Sequence, residues 1–307
     1  MKHTVKITLI ILSMFLLTQF IGLHVIDNYA KEKVVDGVVV SVEDSNQLPY
    51  GMEIPETETT EDYDSNFVSI IISFVIAITI LFLLTRVKSK LIMRTWFFFV
   101  TVLAIGISLT AILPKWQAVS YIALGLAVLL AIGKVFRRSF ISHNLSELLI
   151  YPGIAAVFVP LLNLKTVIIL LVVISVYDMW AVWKSKIMQK MAKYQMDELK
   201  IFSGFYVPYA SKRQKAKMNK MSKGELRTKG VKISAAILGG GDVIFPIITA
   251  GVIMKTWGLI PAIGIIFGAL LGLSLLLFFS EKKKFYPAMP FITSGIFIAM
   301  LISWLLI

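Results

Sequence analysis

The chain has 307 residues, of which 57% are hydrophobic and 16% charged, with a mean hydropathy of +0.82. A soluble domain needs about a quarter of its residues charged to cover its surface, so a soluble globular fold is excluded. The net charge of +13 does not point to nucleic acid, because Lys and Arg lie in short stretches between apolar runs rather than on one face.

Nine apolar runs follow one another, at about 4–26, 67–85, 95–113, 118–136, 146–164, 166–183, 233–254, 258–280 and 286–306. About 20 helical residues cross a roughly 30 Å hydrocarbon layer, and runs this long are not barrel strands. The expected class is therefore an all-α, multi-pass integral membrane protein with nine transmembrane helices. The first run follows Lys2 but is longer than a signal-peptide core and has no small-residue cleavage site, so it is read as a span. The chain divides into helices one to six over 1–183, a basic loop over 184–232, and helices seven to nine over 233–307. Together these make one membrane-embedded domain. No cysteine is present, which excludes disulfides, thiolate metal sites and thiol nucleophiles.

The connections alternate in charge. Residues 27–66 form an acidic outer loop with eleven Asp and Glu against Lys31 and Lys33. Arg86, Lys88, Lys90 and Arg94 follow the second run, and Lys134, Arg137 and Arg138 follow the fourth. The 184–232 loop carries fourteen Lys and Arg, and Lys282, Lys283 and Lys284 follow the eighth run. Every second connection is basic, which predicts a cytoplasmic N-terminus and an outside C-terminus. Within the long loop, Ile187, Met188, Met191, Tyr194 and Leu199 keep helical spacing, so helix six is expected to continue or to lie along the interface. Segment 201–209, apolar with Gly204 and Pro208, is expected to touch the membrane without crossing it. Gly264, Gly268 and Gly272 on helix eight predict close helix packing.

Ionisable groups inside a span are costly and are functional candidates by default. Of eighteen acidic residues only three fall in runs, and Glu147 at the start of helix five is expected to reach water or cap the helix. Asp178 in helix six and Asp242 in helix seven remain. Asp178 is thirteen residues inward of Lys165 and Asp242 thirteen residues before Lys255, so both lie at similar depth, on the cytoplasmic side of the midplane. Consecutive antiparallel helices are usually neighbours. Two carboxylates close together hold one proton between them, so one can activate water while the other polarises an amide carbonyl. The same pair would also serve a proton-coupled transporter, and either acid alone could be structural. No HExxH motif occurs, and none of His3, His24 and His143 lies deep in a run, so neither a metal site nor a Ser-His pair is expected.

The surroundings of the two acids carry a resemblance. Val176-Tyr177-Asp178 followed by Ala181-Val182 looks like the YD motif of the presenilin and signal peptide peptidase family of GxGD intramembrane aspartyl proteases. Gly239-Gly240-Gly241-Asp242 matches that family's GxGD motif. Pro287-Ala288-Met289-Pro290 resembles its PAL motif, with Met289 in place of leucine. The order of the motifs and the nine-span plan are similar over roughly the whole chain, most of all to archaeal presenilin-like members. The resemblance implies an intramembrane aspartic endopeptidase with Asp178 and Asp242 as the catalytic pair. Tyr177, Gly239 and Gly241 would support the site, and Pro287, Ala288, Met289 and Pro290 would bind substrate. Its partners would be transmembrane proteins or peptides within the bilayer, with no cofactor, no metal and no nucleic acid, in the cell membrane of a prokaryote. A helical substrate must unwind before water attacks, and pairing with backbone in 228–236 is the expected device.

Overall fold

In the structure, a computed structural model, the described residues are 4–30, 32–35, 38–41, 47–53, 57, 59–87, 90–137, 139–185, 202–209, 234–281 and 286–306. Nine α-helices run through them: α1 (Val5–Tyr29), α2 (Thr60–Val87), α3 (Lys90–Ile112), α4 (Val119–Ile132), α5 (Phe140–Phe158), α6 (Leu164–Trp180), α7 (Gly240–Trp257), α8 (Leu259–Phe279) and α9 (Met289–Leu306). The all-α expectation is corrected by two small antiparallel sheets. One pairs β1 (Glu32–Val35) with β2 (Val38–Ser41), the other β3 (Gly204–Tyr209) with β4 (Ser234–Gly239). Among the described residues, seven helical stretches, built on α1, α3, α4, α5, α6, α8 and α9, are long and apolar enough to cross a membrane. Large apolar side chains face outward, Trp304 and Leu305 on α9 being 64% and 69% exposed, a surface suited to hydrocarbon rather than water.

α7 is the central helix. It touches α1, α5, α6, α8 and α9, and every residue from Pro246 to Met254 is buried. A helix that is apolar all round belongs in the middle of a bundle. α8 and α9 pack closely because Gly268 and Gly272 admit the backbone of Gly295 and Phe291, where any Cβ would collide. Gly264 meets only Ser303 at ordinary contact distance, 3.4 Å, so two of the three expected glycines do this packing. α6 starts in a capping box in which Asn163 and Thr166 satisfy each other's backbone. Near that end Lys165 pairs with Asp64 at 2.7 Å and Lys255 lies over the Tyr63 ring at 4.9 Å. The first turns of α2, the start of α6 and the end of α7 therefore share one end of the molecule.

Four expectations change here. The seventh run begins at Gly240 rather than near 233, because three successive glycines make a poor helix interior, at about 1 kcal/mol each. The preceding residues extend into β4 and pair with β3, so 204–209 is a strand and not a surface segment; Phe205 and Val207 alternate into the core. The acidic 27–66 stretch carries β1, β2 and the start of α2, where Thr59 and Asp62 cap each other. Finally, α5 begins at Phe140, well before 146, so Glu147 is neither capping nor wet: it is fully buried and ion-paired with the buried Lys134. The helical spacing at 187–199 and the residues 228–233 lie outside the described residues.

Candidate active site

Asp178 lies at the C-terminal end of α6, 6% exposed, just before a π-helical turn over Ala181–Ser185. Such turns interrupt the regular ladder and concentrate at functional sites. Its carboxylate reaches across to the start of α9, where Oδ2 accepts the Met289 amide at 3.0 Å and the Ala288 amide also donates. One turn away, the Ser175 hydroxyl donates to Thr293 Oγ1 at 2.8 Å and ties α6 to α9 at the same level. The sequence 287–290 produces this arrangement directly. Pro287 and Pro290 have no amide hydrogen, so the two donors of the segment are Ala288 and Met289, both free of helical partners at a helix start.

Asp242 occupies the first turn of α7, three residues after the N-cap Gly239. From there its side chain turns back to accept the Gly239 amide, the reciprocal half of a capping box. Gly239 has φ −63° and ψ 147°, which any residue adopts. Its reason to be glycine is spatial: a Cβ would lie 3.1 Å from the Asp242 Oδ2. The carboxylates of Asp178 and Asp242 lie within electrostatic reach of each other, and α6 packs on α7. The arrangement offers two carboxyl groups, each anchored by backbone amides at a helix N-terminus.

The remaining expected residues divide. Pro287 and Met289 are buried and Ala288 and Pro290 partly so, all at the α9 start beside Asp178. Tyr177 is half-buried and its ring lies on Trp180, with centroids 6.2 Å apart, away from either carboxylate's hydrogen bonds. Gly241 is exposed, and a Cβ there would meet only Phe245 at 3.6 Å. The close approach expected of Gly241 belongs instead to Gly240, where a Cβ would come within 2.9 Å of the Tyr151 ring and 3.1 Å of Ser203 Oγ. Sequence reasoning missed Gly240, since the GxGD pattern leaves that position open. It also missed Gln19 of α1, which is fully buried and donates to the Val243 carbonyl at 3.0 Å, bracing the turn that carries Asp242. Its one signal was an uncharged polar residue deep in an apolar run. Among the described residues, no three His, Asp or Glu side chains gather as a metal would require.

The family described as "Signal-peptide peptidase, presenilin aspartyl protease" matches residues 7–307 of this chain. Two solved structures, each described as a presenilin family intramembrane aspartate protease, are similar in fold. The one in the C222 space group superposes with a TM-score of 0.62 at 19% identity, covering 98% of this chain and 99% of that one. The one in the P2 space group gives 0.60 at 17% identity, covering 97% and 98%. No curated protein matches the chain in sequence.

Proposed function

Because the chain belongs to the signal-peptide peptidase and presenilin family of aspartyl proteases, a multi-pass membrane protein, we propose that Asp178 and Asp242 are its catalytic pair. The observation that carries this reading is the anchoring of Asp178 by the Met289 amide, which links the 176–178 and 287–290 motifs, with Asp242 in electrostatic reach of the same carboxylate. With two carboxyl groups sharing one proton, the ionised member takes a proton from water and the protonated member polarises the scissile carbonyl. Neither metal nor covalent intermediate enters the step. The substrates are peptide bonds in or beside transmembrane segments of other proteins. Unwound substrate adds as a strand to the β3–β4 sheet, whose Ile237 is 40% exposed on β4. The N-terminus is cytoplasmic, the C-terminus outside, and the membrane is that of a prokaryotic cell.

The transporter reading, open on residue counting, draws no support from family or fold. Incubating the purified protein with a model transmembrane peptide and reading the products by mass spectrometry tests the proposal. Wild type should cut; Asp178→Asn and Asp242→Asn, nearly isosteric, should fold and not cut. Retained cleavage in either variant removes that residue from the pair.

A further inference from the structure

The polar residues that open α5 form a buried array outside the aspartate pair. Glu147 is 0% exposed and takes the ammonium of Lys134, itself 4% exposed, on Oε1. His143 lies 3.7 Å from the same oxygen, and its Nε2 is 2.8 Å from the Gly204 carbonyl of β3. Asn144 holds one residue of β3 twice, donating to the Tyr206 carbonyl at 2.9 Å and accepting the Tyr206 amide at 3.0 Å. Four residues beyond Glu147, on the same face of the helix, comes Tyr151. Its ring meets Phe205 of β3 edge-on at 5.8 Å, and its hydroxyl lies in electrostatic range of Glu147, Ser203 and Asp242.

The second Glu147 oxygen and the Tyr151 hydroxyl are both fully buried, and among the described residues neither has a hydrogen-bond partner of good geometry. A phenylalanine at 151 would fill the same volume without burying an oxygen, so packing does not account for the hydroxyl. Gly240 belongs to the same arrangement: its missing side chain is what lets Tyr151 close on the Asp242 turn.

Resting on the reading that Asp242 is catalytic, we propose that Tyr151 is a positioning residue for it. The hydroxyl, steered by Glu147, fixes the glycine turn from which Asp242 projects, and His143 and Asn144 tie the same helix face to β3. The full-length protein, with active sites titrated by a hydroxyl-containing transition-state mimic, gives kcat and KM on a transmembrane peptide. Tyr151→Phe should lower kcat on the order of 10-fold, the loss of one buried polar group beside the Asp242 turn, with KM held within about two-fold. K134M/E147M removes the steering group without stranding a buried charge and should match Tyr151→Phe. K134M/E147Q keeps an oxygen opposite Tyr151 and should restore most of kcat. Gly240→Ala should lower kcat in wild type yet add little to Tyr151→Ala, since the ring it strikes is gone. Undiminished kcat per titrated site in both Tyr151→Phe and K134M/E147M overturns the proposal, as does a loss confined to folded yield. Cleavage by Asp242→Asn would instead overturn the catalytic reading, whereas an inert Asp242→Asn beside a fully active Tyr151→Phe removes only the role of Tyr151.

Discussion

The amide of Met289 can be removed without removing α9. Met289 is the first residue of that helix, the position where proline is best tolerated because its amide has no helical partner. In this protein the amide does have a partner, Asp178 Oδ2 at 3.0 Å. Met289→Pro deletes the donor, but it also deletes a side chain that is 3% exposed, so Met289→Ala is the reference. A hydrogen bond to a charged group contributes about 1.5–3 kcal/mol, and at about 1.4 kcal/mol per decade its loss lowers kcat roughly 10- to 150-fold. The Ala288 amide remains, which favours the lower half of that range. The assay is peptide cleavage read by mass spectrometry and normalised to folded, detergent-solubilised protein. Equal kcat in Met289→Pro and Met289→Ala would show that the amide does not hold the carboxylate during catalysis.

Gly240→Ala should lower the melting temperature by several degrees, for an overpacking cost of about 1–3 kcal/mol, while Gly241→Ala should leave it unchanged; equal shifts would refute the placement of Tyr151. Glu147→Gln alone should destabilise by about 3–5 kcal/mol because Lys134 is left charged and buried, and K134M/E147M by much less, as denaturation in detergent would measure. Activity should follow a bell-shaped pH profile and resist zinc chelators; full inhibition by a chelator at modest concentration contradicts a two-carboxyl mechanism. A cysteine at Ala288 should react with a polar thiol reagent from the cytoplasmic side and be shielded by a peptide-like inhibitor, while one at Leu171, 1% exposed, stays protected; labelling only from outside reverses the orientation.

The bundle was legible in the sequence because hydrocarbon thickness sets run length, and run length needs no tertiary information. The boundary at Gly240 was not, since apolar content alone cannot separate a strand leading into a helix from a longer helix. β4 becomes visible only when β3, thirty residues upstream, supplies its partner. The start of α5 was hidden for a different reason. His143 and Asn144 read as a polar connection, and Ser146 and Glu147 as the wet start of a helix, yet each turns inward and finds a partner in Lys134, in β3 or in its own helix. Asp178 and Asp242 could be picked out as the two acids with no connection to belong to. The amides that anchor them could not, because a backbone donor leaves no mark in the side-chain sequence except the prolines and glycines around it.

Those prolines and glycines bear on how carboxylates are kept in a membrane. An acid in hydrocarbon is usually accommodated by a cationic partner or by water. Here Asp178 takes the free amides at the start of α9, and Asp242 takes the N-cap amide of its own helix α7. A helix start presents unpaired N–H groups and the positive end of the backbone dipole, so each supports a negative charge without a side-chain cation. That matters for chemistry. A lysine beside the pair would hold both acids ionised and leave neither able to donate a proton, whereas fixed dipoles steady a carboxyl group in either protonation state. Lys134, the one buried ammonium among the described residues, is accordingly engaged by Glu147.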